Sequence, residues 1–180
     1  RSNIPIKSEI SNNKLSCMYC NARSIVNKRE ELDLYLREQN IDIIGITETW
    51  LNESISDSEM GIEGYSLFRK DRKSVNKKRG GGVLFYIKDY LNVVMVEDYV
   101  GDSYHQESLI YKIDCSGTKT LLGIICRPPD SNDSLDENLY NLINHISKEN
   151  CIVMGDFNFS ELKWDNLNTI TEQHKFVKCL

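Results

Sequence analysis

Eight short apolar runs, spaced by polar turns and broken by two helical stripes, constrain this chain more than any other feature. Residues 15–20, 41–46, 64–68, 83–87, 93–96, 108–113, 121–126 and 151–154 each read as a strand. The run 41–46 (IDIIGI) is almost continuously apolar, as in a strand covered on both faces. Asn27 with Glu30 reads as a capping box that opens a helix, and Leu32, Tyr35 and Leu36 give its stripe up to Gln39. Ser134 with Glu137 reads as a second capping box, and Leu135, Leu139, Leu142, Ile143 and Ile146 form the buried face behind it. A last helix is expected from near Thr169. The segment 114–119 (DCSGTK) has the composition of a hairpin turn. Strands joined by both hairpins and helical crossovers favour an α/β sandwich of mixed sheets. No G-x-G-x-x-G or P-loop segment supports a dinucleotide-binding or P-loop fold.

The chain has 180 residues, 40% of them hydrophobic, which is enough for the core of one domain. Residues 1–14 read as a polar leader without the apolar stretch of a signal peptide, and residues 15–180 as the domain. The first residue is Arg1, so the chain reads as a piece of something longer. No apolar run approaches the roughly 20 residues of a membrane helix, so no membrane partner is expected. Cys17 and Cys20 form a C-x-x-C, but residues three apart on a strand face opposite ways and share no metal easily. Cys115, Cys126 and Cys151 lie in or beside apolar runs and read as small buried hydrophobes; with Cys179 they read as reduced thiols in an intracellular protein.

Charge is unevenly spread. The net charge is −5, yet residues 69–79 (RKDRKSVNKKR) hold seven bases and one acid, a local +6 against −11 elsewhere. Such a strip reads either as a solvated loop or as a local grip on a phosphate backbone.

Three of the apolar runs end in polar clusters: Asn21-Ala22-Arg23-Ser24, Thr47-Glu48-Thr49-Trp50 and Gly155-Asp156-Phe157-Asn158. Ligands of layered α/β proteins gather outside strand ends. Convergence there would bring together the carboxylates of Glu48 and Asp156 and the amides of Asn21 and Asn158. An all-oxygen set of this kind suits Mg²⁺. Each residue alone also reads as an ordinary turn former or cap.

The segments CNARSI, ITETWL, RGGGVLFYI, CRPPDS and VMGDFNFSELKW follow one another in this order. Together they resemble the endonuclease/exonuclease/phosphatase superfamily, most of all the endonuclease domain of non-LTR (LINE-type) retrotransposons, with abasic-site endonucleases and DNase I as further relatives. The resemblance runs from about Leu15 to Leu180. It implies a DNase I-like, four-layer sandwich of two mixed β-sheets flanked by helices. It implies a metal-dependent hydrolase that nicks one DNA strand and leaves a 3′ hydroxyl to prime reverse transcription.

The resemblance also implies roles. Glu48 would ligate Mg²⁺, or Mn²⁺ in its place, with Asn21 in the metal shell or bonded to Asp156. Asp156 would orient or deprotonate the attacking water, and Asn158 would donate to a phosphate oxygen. Arg23, Lys77, Lys78, Arg79 and Arg127 would touch the DNA backbone, and the glycines after Arg79 would allow close approach to substrate. The implied partners are DNA and a downstream reverse transcriptase domain of a longer parent protein acting in the nucleus.

Two departures bear on activity. Many relatives carry a tyrosine where this chain has Cys126, and a thiol is a poor donor beside a phenol. A late-loop aspartate and a Ser-Asp-His motif are absent; none of His105, His145 and His174 follows Ser-Asp. These absences read as a domain lacking its last strands, with weak Mg²⁺ binding and slow nicking or none. The alternatives are a superfamily hydrolase acting on phosphoinositides, sphingomyelin or RNA tails, and a non-catalytic remnant.

Overall fold

The structure, a computed structural model, describes residues 14–72, 80–96, 107–115 and 117–159. In chain order these form β1 (Cys17–Asn21), α1 (Arg29–Gln39), β2 (Ile43–Thr47), α2 (Asp57–Met60), β3 (Tyr65–Lys70), β4 (Val83–Lys88), β5 (Asn92–Met95), β6 (Ser108–Cys115), β7 (Thr118–Cys126), α3 (Asp133–Ile146) and β8 (Cys151–Asp156). The leader, apart from Lys14, and the helix expected near Thr169 lie outside the described residues.

The strands make two four-stranded sheets, ordered β1-β2-β4-β3 and β5-β6-β7-β8. Each sheet is mixed. In the first, β1 and β2 run parallel around the α1 crossover, and β4 is antiparallel to β2 and β3. In the second, β7 and β8 run parallel around the α3 crossover, and β5, β6 and β7 form an antiparallel meander. The hairpin expected at 114–119 joins β6 to β7: Cys115 faces Thr118, and Asp114 Oδ1 accepts from Gly117 N at 2.9 Å.

Strand alternation sorts the apolar residues into three clusters. Ile43, Val83, Phe85 and Ile87 of the first sheet meet Tyr111, Ile113, Leu122, Ile124 and Cys126 of the second. Their neighbours Ile44, Ile46, Leu84 and Tyr86 point the other way, toward Leu36 of α1. Ile110, Leu121 and Ile125 meet Leu139, Leu142, Ile143 and Ile146 of α3. The layers are therefore helix, sheet, sheet, helix, the expected sandwich. The sheets approach closely where Gly45 of β2 faces β8; a Cβ at Gly45 would lie 2.5 Å from Met154 Sδ.

Helix starts differ from expectation. Asn27 does not cap α1: the chain is still closing a turn there (Lys28 N to Ile25 O, 2.8 Å), and Lys28 occupies the cap position without a side-chain bond. Only Leu36 of the expected stripe is fully buried, while Tyr35 is exposed. Asn132, not Ser134, caps α3, because its extended backbone lets Oδ1 accept from Leu135 N at 3.0 Å. The short α2 was not expected; Ser56 and Glu59 form a true capping box there. No helix among the described residues is long and apolar enough to cross a membrane.

Leu122 lies fully buried in the intersheet cluster. Leu122→Ala is expected to lower unfolding free energy by about 2–5 kcal/mol, whereas Leu34→Ala, at 59% exposure, should change it by less than about 0.5 kcal/mol. Urea midpoints of the two variants check this; equal effects would contradict the packing.

Candidate functional site

The parallel pairs end at one edge of the sandwich. β1 ends at Asn21 beside Thr47 of β2, and β8 ends at Asp156 beside Cys126 of β7. The Asn21 amide then donates from Nδ2 to Asp156 Oδ2 at 3.0 Å, tying the two sheets together. Glu48 and Arg127 follow their strands directly. The three expected clusters thus converge.

Backbone strain gathers here. Among the described residues, non-glycine positive φ occurs at Arg23, Ser24, Glu48, Trp50 and Asn158, and otherwise only at Asn40, where it ends α1. Such conformations persist where surrounding bonds hold them. Ser24 N bonds Glu48 O at 2.8 Å, and Trp50 N bonds Gly81 O at 3.0 Å.

Glu48 is held from several directions. Its Oε2 accepts from the Trp50 indole at 2.8 Å and from Gly81 N at 2.9 Å. Its Oε1 faces the Cys126 thiol at 3.7 Å and the Arg72 guanidinium at 4.0 Å. Burial raises its pKa, but the Gly81 N–H, the Trp50 indole and the Arg72 charge outweigh burial and hold the carboxyl below its ordinary 4.5. Cys126 is 1% exposed, and burial, with Glu107 and Glu48 nearby, pushes its thiol far up. It is therefore a neutral S–H donor to Glu48. A phenol does lie near the site, but on β1: Tyr19 bonds Thr47 Oγ1 at 2.9 Å, and burial pushes it up to about 12.

Glu107 escaped the sequence reading, and so did its pairing with Arg72. Glu107 is 5% exposed; its Oε1 accepts from Arg72 Nε, and its Oε2 from Gly82 N at 3.1 Å. Carboxylate oxygens of Glu48 and Glu107 and the Cys126 sulfur lie within 4.8 Å of one another. Nothing in the spacing around Glu107 marks it, since only the β6–β7 register brings it to this edge.

Other expectations are corrected. Arg127 is not available to a DNA backbone: it is 7% exposed, and its Nε and Nη2 grip Asp136 at 2.8 and 2.9 Å. Its Nη1 donates to Asn158 O at 3.1 Å, Asn158 Nδ2 donates back to Arg127 O at 2.7 Å, and the Phe159 ring lies 4.2 Å away. Arg127 thus sets the loop that carries Asn158. Two glycines of the triplet are required by the protein's own packing. A side chain at Gly81 would overlap the Arg72 guanidinium, and one at Gly82 would meet Thr49 Oγ1 at 2.5 Å. Arg69 and Arg72 of the basic strip are committed to acids: Arg69 to Asp57 at 3.0 Å, Arg72 to Glu107. Lys77, Lys78 and Arg79 lie outside the described residues, although Arg72 and Gly80 on either side both approach Glu48. Arg23 is exposed beside Asn21.

The donor set fits a hard divalent cation. Glu48 offers a carboxylate oxygen within 4.8 Å of one from Glu107, and at the same edge Asn21 keeps its amide oxygen because its nitrogen serves Asp156. The neutral thiol of Cys126 competes poorly for such an ion.

Gly155, just before Asp156, has no room for a side chain: a Cβ there would run into the Ile125 carbonyl of β7. Gly155→Ala is expected to cost about 3 kcal/mol by urea denaturation; a neutral effect would overturn the tight β7–β8 pairing. The depressed Glu48 carboxyl has a pH signature. Its contribution to stability is full above the ordinary value of 4.5 and is lost as pH falls through the folded value. The stability difference between wild type and Glu48→Gln is therefore expected to hold constant from pH 7 to about pH 5 and to shrink at lower pH. A difference already shrinking between pH 7 and 6 would contradict it.

The model of the endonuclease/exonuclease/phosphatase family matches residues 18–172. No curated protein matches the chain. Among solved structures, the endonuclease domain of TRAS1, a telomere-specific non-LTR retrotransposon, superposes with a TM-score of 0.57 at 14% identity. That match covers 81% of this chain and 59% of the TRAS1 domain, so the chain spans under two thirds of that relative. A humanized D. rerio TDP2 gives 0.60 at 15% identity, over 89% of this chain and 73% of its own. An AP endonuclease from Archaeoglobus fulgidus gives 0.52 at 14%, over 81% and 58%. At these identities the likeness is one of fold.

Proposed function

The chain belongs to the endonuclease/exonuclease/phosphatase family, and we propose that within it this protein is a divalent-metal-dependent DNA endonuclease. The observation that carries the reading is the bond from Asn21 to Asp156. It sets a water-activating carboxylate at the same edge as the ionised, cation-ready Glu48.

In this reading Glu48, with the Asn21 amide oxygen, would hold Mg²⁺ or Mn²⁺, and the cation would supply charge stabilisation to the phosphate. Asp156, oriented by Asn21, takes the proton of the attacking water. The water oxygen forms the new bond to phosphorus, the P–O3′ bond breaks, the departing 3′ oxygen takes a proton from solvent water, and the products are a 5′ phosphate and a 3′ hydroxyl. Asn158, its loop locked by Arg127, donates its second amide hydrogen to a phosphate oxygen where negative charge develops. Arg23, exposed beside Asn21, touches the DNA backbone.

The motif order, with RGGGV and RPP beside GDFN, supports the retrotransposon branch. The partners are then the DNA backbone and a reverse transcriptase domain of a longer protein, acting in the nucleus.

Supercoiled plasmid and Mg²⁺, at protein concentrations high enough to follow slow rates, test this. Glu48→Gln and Asp156→Asn are each expected to slow open-circle formation by about 10²–10³-fold, and a chelator should stop it. Nicking that both variants leave unchanged would overturn the proposal. Faster turnover of a phosphoinositide, sphingomyelin or polyadenylated RNA would move the protein to another branch of the family.

A further inference from the structure

The ion pair behind Glu48 is asymmetric. Arg72 bonds Glu107 directly, yet stops 4.0 Å from Glu48 Oε1, beyond hydrogen-bonding distance. Glu107 is the fixed partner. It is 5% exposed, its second carboxylate oxygen accepts from Gly82 N at 3.1 Å, and its main-chain oxygen accepts from Cys126 N at 2.8 Å. Arg72 is the movable one, a long side chain 30% exposed and charged at every working pH. It lies against Gly81, where only glycine leaves room for the guanidinium.

We propose that Glu107 is a positioning residue that holds the Arg72 guanidinium off Glu48 and so sets how tightly that carboxylate binds a divalent cation. The proposal rests on the reading of Glu48 as the cation ligand. A guanidinium between two carboxylates goes to the closer and better-fixed one. While Glu107 is ionised, it satisfies and neutralises Arg72, and Glu48 Oε1 is left to the cation. Remove the Glu107 charge, and Glu48 becomes the nearest anion. Arg72 then needs to move by only about the difference between 4.0 Å and ordinary contact to pair with Glu48 directly. Once there, it competes with the cation for the same oxygen. The two halves of the pair therefore have opposite effects on cation binding, which a purely structural ion pair would not show.

The experiment titrates folded protein with Mn²⁺ alone and reads the free ion by electron paramagnetic resonance. Circular dichroism and urea midpoints establish folding for each variant. Glu107→Gln is expected to weaken Mn²⁺ binding at least tenfold. Arg72→Met should not weaken it. The double variant Glu107→Gln/Arg72→Met should return to within threefold of wild type. If Glu107→Gln does not fold, the single Arg72→Met and the double variant still decide. Equal weakening by Glu107→Gln and Arg72→Met, or a double variant that binds far more weakly than wild type, would overturn the proposal. Glu48→Gln separates this from failure of the underlying reading. If Glu48→Gln leaves Mn²⁺ binding intact, Glu48 is not the ligand. If it removes binding while Glu107→Gln changes nothing, only the role given to Glu107 fails.

Discussion

Both faces of each sheet are covered, and the rest of the structure follows from that. The intersheet cluster fills the middle, and α1 and α3 cover the outer faces. A strand such as β2 then has no solvent side, and all five of its residues are buried. Polar chemistry has no place along such a strand, since a buried polar group without a partner is costly. The first accessible polar position is past its end, at Glu48. The helical crossovers make β1 and β2 parallel, and β7 and β8 parallel, so the strand ends that can carry chemistry fall on the same edge.

That edge is rigid because its strain is held by short bonds in several directions. Glu48 and Trp50 adopt left-handed backbone, and each is bonded to the glycine segment between β3 and β4. The glycines of that segment and Gly155 answer to the protein itself: the guanidinium of Arg72, the hydroxyl of Thr49 and the carbonyl of Ile125 occupy the space a Cβ would need. Arg127 works in the same way, joining the start of α3 through Asp136 to the loop that carries Asn158.

The elements were legible where the pattern was periodic. The run at 41–46 was read as a covered strand because apolar residues fill both alternating faces. The convergence of Asn21, Glu48 and Asp156 was legible from three polar clusters after three apolar strands. Helix starts were misplaced at Asn27 and Ser134, because a capping-box spacing does not reveal whether the chain is still turning or an earlier Asn has already capped. Arg127 was misread because charge alone does not show a partner; Asp136 lies nine residues away on the next helix. Glu107 could not be read at all, since its meaning lies in Arg72 and Gly82, brought close only by the fold. The basic strip was read as one surface, yet Arg69 and Arg72 are neutralised by acids that sequence distance hides.

The bond from Asn21 to Asp156 spans 135 positions. Contacts of such separation close late, because the loop entropy they cost must be met by everything formed before them. The chain emerges during synthesis in the same order: Glu48, its indole clamp and the Arg72–Glu107 pair all precede β8. The residues around Glu48 therefore all precede β8 in the chain, and among the described residues Asp156 is the last carboxylate to reach this edge in sequence order. Asn21 and Asp156 meet only when both sheets are assembled, so the bond between them reports the completed fold.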